Sequence, residues 1–276
     1  MGTPRRRGKT AATSRVRQVV AFFALAFAWS WLWWLAAYLA GDGPARFFAG
    51  LIAAFGPTLA ALALTYRGEG GAAVRRLLRR GVTLRAGPSW LLAILLFWPA
   101  LAGLAFVLTR LLGGATGPTP LATQPWMTLP TFLFMLLASG PIQEEFGWRG
   151  YALDRLQATR GALGASLLLG AVWALWHLPL HFLPGTTQAA LPIWQFWLIT
   201  IVGSILYTWI HNHTGGSVLA AILFHTTSNL SAWLFPYWHT DLGRYVGFGL
   251  ALVAAVAIVL VEGPAWLSRP GVGART

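Results

Sequence analysis

Two adjacent carboxylates, Glu144 and Glu145, stand at the end of the apolar run Leu129 to Ile142, and Arg149 follows one helical turn later. The chain has only seven acidic residues, so two together in such a setting need a cause. A carboxylate in hydrocarbon costs about 2.5–3.5 kcal/mol on insertion scales, and such residues by default mark a functional site with partners to be found. On a helix Glu145 and Arg149 share a face, with the acid N-terminal, the better order for an ion pair. Glu144 lies about 100° round the helix. Arg149 therefore ties down Glu145, and Glu144 is left for reaction. The bland alternative is an interfacial salt bridge that only marks a helix end.

The partners are sought in the other apolar runs. Trp173 and His177 are four apart in one, so the indole can pack over the imidazole and hold its rotamer; a lone histidine there can equally be a satisfied core residue. Pro179 frees the carbonyl of Leu175 and permits a kink. In a later run His225 and Asn229 again share a face at i, i+4. Helix-to-helix hydrogen bonds, about 0.6 kcal/mol each, explain such residues too. Against that stands their coincidence: Glu144, His177, His225 and Asn229 comprise a base, its orienter and a donor pair, the inventory of a hydrolase. His211 and His213 read as a solvated turn in the connection Ile210–Gly216, His181 as an interfacial residue, and His239 and Asp241 receive no role.

These residues need a membrane scaffold. Apolar residues make up 57% of the 276, charged ones 10%, and mean hydropathy is +0.62. Soluble domains carry about 25% charge, so soluble classes fall away. The expected fold is all-α, a polytopic membrane protein of about eight transmembrane helices: Val19–Ala40, Phe47–Tyr66, Trp90–Leu112, Leu129–Gly147, Ala165–Leu183, Leu191–Ile210, Ser217–Phe235 and Tyr245–Val261. Residues 1–18 form a basic cytoplasmic arm expected to lack order. Residues 19–128 hold three helices and an amphipathic connector at 67–87. Residues 129–235 hold the active-site core of four helices, and 236–276 the last helix and a cytoplasmic tail. The first run is too long for a cleaved signal peptide and reads as a signal anchor. No cysteine occurs, which excludes disulfides, thiolate metal sites and a cysteine nucleophile.

Loop arginines and lysines give the orientation. With both termini cytoplasmic, 17 of the 20 basic residues lie inside, and Arg46, Arg110 and Arg244 outside. The expected location is the plasma membrane. The net charge of +13 then faces lipid headgroups and calls for no nucleic acid. Counting 1.5 Å per residue from the inner ends sets Glu144 about 5 Å deep, His225 about 12 Å and His177 about 18 Å. A shared site therefore requires the fifth helix to tilt, or to begin in the cytoplasm. The cavity is expected to open toward the cytoplasmic half or sideways to lipid.

The series Glu144-Glu145-xxx-Arg149, Trp173-xxx-His177 and His225-xxx-Asn229 resembles the three-motif signature of the CPBP (Abi) family. That family groups type II CAAX prenyl endopeptidases with bacterial relatives, some linked to bacteriocin immunity. The likeness covers Leu129–Phe235, with Trp173 where the family usually has Phe, a change expected to alter packing and not chemistry. The resemblance implies an intramembrane endopeptidase acting on membrane-associated or lipid-modified peptides. Glu144 would activate water, His177 would orient it, His225 and Asn229 would form an oxyanion hole, and Glu145, Arg149 and Trp173 would support them. The family has been described both as zinc-dependent and as glutamic-type. The absence of His-Glu-x-x-His and the poor zinc affinity of an Asn229 amide favour a metal-free site. A non-catalytic immunity or scaffold factor using the same pocket is the second reading. A transporter lacks the expected inverted repeat. A prenyl synthase lacks clustered aspartates, since Asp42, Asp154 and Asp241 are far apart.

Overall fold

The computed structural model describes residues 4–84 and 86–268, with side chains from residue 14 onward. The side chains of Arg5, Arg6, Arg7 and Lys9, together with Arg85 and the tail carrying Arg269 and Arg275, lie outside the described residues. Among the described residues the secondary structure is helical throughout: α1 Pro4–Leu39, α2 Pro44–Ala54, α3 Gly56–Arg80, α4 Pro88–Leu111, the short α5 Pro120–Thr123, α6 Thr128–Ala138, α7 Pro141–Gly147, α8 Asp154–Trp176, α9 Ile193–His213, α10 Val218–Leu234 and α11 Asp241–Glu262. A π-helical turn, Trp148–Leu153, joins α7 to α8. The chain is an all-α integral membrane protein: six helical stretches are long and apolar enough to cross a bilayer, and two shorter apolar helices, 125–138 and 218–234, accompany them. The arm expected to lack order is instead drawn into α1, which begins at Pro4.

Local chemistry fixes most helix starts. Pro44, Pro88, Pro120 and Pro141 occupy first-turn positions, where the missing N–H costs nothing. Ser217 caps α10 by accepting the N–H of Ala220 at 3.1 Å, and Thr240 caps α11 through that of Gly243 at 3.3 Å. Helix α3 turns at Gly70 and continues to Arg80, so the arginine-bearing segment is helical, with Leu77 buried and Leu78 and Val82 exposed.

The fourth span differs from expectation. One continuous helix over Leu129–Gly147 is replaced by α6 and α7, separated at Ser139–Gly140. Gly140 has φ +107°, outside the helical region, and Pro141 disfavours helix in the residue before it. The acidic pair therefore starts a new helix that runs on through the π turn. Helix α8 is drawn from Asp154, but Gly161, with φ +67°, breaks it, so the straight segment that leads to His177 starts at Ala162, close to the start of the apolar run.

The core is aromatic. Trp148 and Trp176 are almost wholly buried, 5.6 Å apart in edge-to-face geometry, and Phe22 and Trp34 of α1 close over them at 5.4 and 4.6 Å. This packing fixes α7, the π turn and the end of α8 against one another, which are the elements that carry the acids and His177.

Candidate active site

Arg149 is fully buried, although a count by sequence assigns it to an inner loop. Its Nη1 donates to both oxygens of Glu145, at 2.9 and 3.2 Å. The guanidinium also lies 4.5 Å from the ring of Trp173 and 4.3 Å from that of Tyr207, two cation–π contacts in a desolvated setting. Charge and ring faces together offset its burial. Glu145 has a second partner: Nδ1 of His225 donates to its Oε1 at 2.9 Å.

Glu144 is held differently. Its Oε2 accepts the indole N–H of Trp173 at 2.7 Å and that of Trp148 at 3.2 Å. Among the described residues no group donates to Oε1, which faces Gly140: a Cβ added to Gly140 would collide with it. Glycine is required there twice, by the positive φ and by the carboxylate. The Trp173 departure thus reaches beyond packing, since a phenylalanine has no N–H to give Glu144.

His177 donates from Nδ1 to the carbonyl of Trp173 at 2.8 Å, which leaves Nε2 with its lone pair. Trp173 stands between the two imidazoles, its ring centroid 5.8 Å from that of His177 and 5.4 Å from that of His225. One residue therefore touches Glu144, Arg149, His177 and His225. Asn229 donates from Nδ2 to the carbonyl of Ser139 at 3.3 Å, which ties α10 to the break between α6 and α7.

A cavity of about 280 Å³ adjoins this cluster, and Trp173, His177, Tyr207, His225 and Asn229 all line it. Glu144 does not; its carboxylate meets the cavity through the indole of Trp173. The outer wall comprises residues of the 183–192 connection, the turn at Trp238 and the start of α11. The expectation was an opening toward the cytoplasmic half or sideways to lipid; the lining includes no residue of the arginine-bearing end of α3. Tyr207 escaped the sequence reading. Its ring packs on Arg149, Trp173 and His225. A tyrosine within an apolar helix is the single trace of this in the sequence.

His211 and His213 are not in a solvated turn. Both are buried on the last turn of α9, where His211 meets Asp154 at 3.0 Å and His213 stacks on Trp90 at 4.1 Å and meets Glu262 at 3.4 Å.

The donor set does not suit zinc. Among the described residues no group of three or more His, Asp and Glu converges as a metal site needs. Of the two acids beside the imidazoles, Glu145 is already neutralised by Arg149.

Comparison with known proteins adds to the geometry. Residues 125–231, which carry all three motifs, match the family described as type II CAAX prenyl endopeptidase Rce1-like. The chain is also 34% identical over 145 residues to CAAX prenyl protease 2 of Methanococcus maripaludis, a match covering 50% of this chain and 52% of that protein. The chain thus spans about half the length of the curated relative it matches.

Proposed function

Since this chain belongs, through residues 125–231, to the type II CAAX prenyl endopeptidase Rce1-like family, we propose that it is an intramembrane endopeptidase of the plasma membrane, cutting lipid-modified or membrane-associated peptides with a glutamate-activated water. The observation that carries the reading is the division of labour between the acids. Glu145 is consumed by Arg149 and His225, whereas among the described residues none donates to Oε1 of Glu144. A water donating to Glu144 and to Nε2 of His177 has its lone pair free to attack a peptide carbonyl. Glu144 takes the water's proton as the C–O bond forms and returns it to the leaving amine as the C–N bond breaks. Asn229 and His225 face the same cavity, placed to stabilise the developing oxyanion. Fixed donors of this kind are each worth about 2.7–4 kcal/mol. The largely apolar wall, with Trp98, Leu198, Ile199 and Phe248, suits a lipidated or hydrophobic peptide.

A second reading draws on the setback of Glu144 from the cavity wall: a binding module that holds a peptide without cutting it. Glu144→Gln separates the two. Membrane fractions from cells carrying the wild type and Glu144→Gln are compared by proteomics; the protease reading expects uncut precursors to accumulate in the variant. Equal precursor levels with retained biological activity would favour the binding module.

A further inference from the structure

We propose that the cleft between α3 and the start of α8 binds the phosphodiester headgroup of an anionic phospholipid, at a site separate from the cavity beside His177 and His225. The inference stands apart from the endopeptidase reading and is tested without any cleavage assay.

Helix α3 reaches the membrane surface here. Its apolar part ends at the exposed Tyr66, and Gly70, with φ +76°, redirects the chain into a segment that carries Arg75, Arg76, Arg79 and Arg80. Arginines on an amphipathic segment beside an interfacial tyrosine mark a helix lying at headgroup depth. The segment is pressed onto the π turn. Leu77 is buried, and a Cβ added to Gly150 would stand 2.8 Å from its Cδ1.

This packing leaves a second cavity, of about 280 Å³, between the two elements. Arg76, Arg80 and Arg155 bring three guanidinium groups to it, against the two carboxylates of Glu69 and Asp154. Both acids are already answered. Glu69 meets Arg155 at 2.9 Å, and Asp154 meets Arg80 at 2.9 Å and His211 at 3.0 Å. Arg76 is the group left over: it lines the cavity, and among the described residues it has neither a hydrogen bond nor an ion pair.

The cavity therefore holds one positive charge in excess. A phosphodiester carries one negative charge and neutralises it, whereas a zwitterionic headgroup brings its own cation and leaves the excess in place. The guanidinium fork matches two phosphate oxygens at once, which favours phosphate as the anion. Basic pockets between helices at headgroup level are where anionic lipids are held.

The full-length protein in detergent is titrated with phosphatidylglycerol and, separately, with phosphatidylcholine, and bound lipid is followed by native mass spectrometry. In about 0.5 M ammonium acetate, charges are screened beyond about 4 Å, so a diffuse positive surface contributes little. Phosphatidylglycerol is expected to bind about ten-fold more tightly than phosphatidylcholine, and Arg76→Gln to lose about ten-fold in phosphatidylglycerol affinity, the worth of one charged hydrogen bond. Arg79→Gln removes the same charge from the same helix, at an exposed position outside the cavity lining, and is expected to bind like wild type. Glu69→Gln relieves Arg155 of its counter-charge and is expected to tighten binding. Equal losses in Arg76→Gln and Arg79→Gln overturn the proposal, as do weaker binding in Glu69→Gln or equal affinity for the two lipids. Inorganic phosphate at matched ionic strength tests the source. Retention of the lipid against millimolar phosphate is the expected result; its displacement would assign the cleft to a soluble phosphate and overturn the lipid as its ligand.

Discussion

Nδ1 of His225 lies 2.9 Å from Oε1 of Glu145, the same oxygen that Nη1 of Arg149 meets at 2.9 Å. One carboxylate oxygen thus joins α7, the π turn and α10, and fixes which nitrogen of His225 faces the cavity. With Nδ1 engaged, Nε2 is the atom offered to substrate.

Neutralising either acid separates support from chemistry. In Glu145→Gln, Arg149 keeps its two ring contacts but loses its counter-charge inside a fully buried shell, and its Nε and Nη2 have no hydrogen-bond partner to compensate. Breaking one side of a buried pair costs about 3–5 kcal/mol, so Glu145→Gln is expected to lower the unfolding midpoint in detergent clearly. Glu144→Gln removes no counter-charge and is expected to abolish cleavage with a much smaller change in midpoint. Thermal unfolding of both variants checks this; equal destabilisation would contradict the assigned division.

Trp173→Phe tests the indole. An aromatic ring is kept, though a smaller one, while the 2.7 Å hydrogen bond to Glu144 disappears. Hydrogen bonds to charged groups contribute about 1.5–3 kcal/mol, which corresponds to a roughly ten- to hundred-fold loss in kcat/KM if the bond holds the base in its working position. Steady-state cleavage kinetics read the loss. Activity equal to wild type would mean that Trp148, at 3.2 Å, holds the carboxylate unaided.

Gly140→Ala and Gly161→Ala form a matched comparison. Both glycines have positive φ, +107° and +67°, so each alanine strains the backbone by about 1–3 kcal/mol. Only at Gly140 does the new Cβ run into Glu144; at Gly161 its nearest neighbour is the carbonyl of Ala265 at 3.4 Å. Gly140→Ala is expected to lose cleavage together with stability, and Gly161→Ala to lose stability with most cleavage retained. Similar activity in the two variants would remove the argument that Gly140 makes room for the carboxylate.

The features legible in the sequence are those set by local spacing. Composition identifies the membrane class, and the i, i+4 intervals put Arg149 on Glu145 and Trp173 beside His177. The break at Gly140 was encoded as Ser139-Gly140-Pro141, but an apolar count averages across such punctuation and joins the two helices. Long-range pairings carried no local signal. His211 and His213 look like turn residues because Asp154, Trp90 and Glu262 are far along the chain. Tyr207 is silent for the same reason, its partners Arg149, Trp173 and His225 lying on other elements. The cavity's direction likewise depends on how α9, α10 and α11 are assembled, which no single motif records.

Arg80 lies outside the matched segment, yet it ties together the three elements that carry the motifs. Its Nη1 donates to the carbonyl of Gly150 in the π turn at 3.1 Å and meets Asp154 at the start of α8 at 2.9 Å, while Nε donates to the carbonyl of Gly216 just before α10 at 2.8 Å. The planar fork reaches these three acceptors at once, which the point charge of a lysine cannot do. Arg80→Ala and Arg80→Lys are therefore both expected to speed backbone amide exchange in 148–156 and 214–218, with little change in α1, α2 or α11. Cleavage is expected to fall in kcat with KM nearly unchanged, because the cavity wall stays intact while the acid-bearing turn and α10 lose their common anchor. Exchange that rises evenly along the chain would reduce Arg80 to a contributor to general stability. Exchange and kinetics like wild type in Arg80→Lys would mean that charge alone, through Asp154, holds the turn.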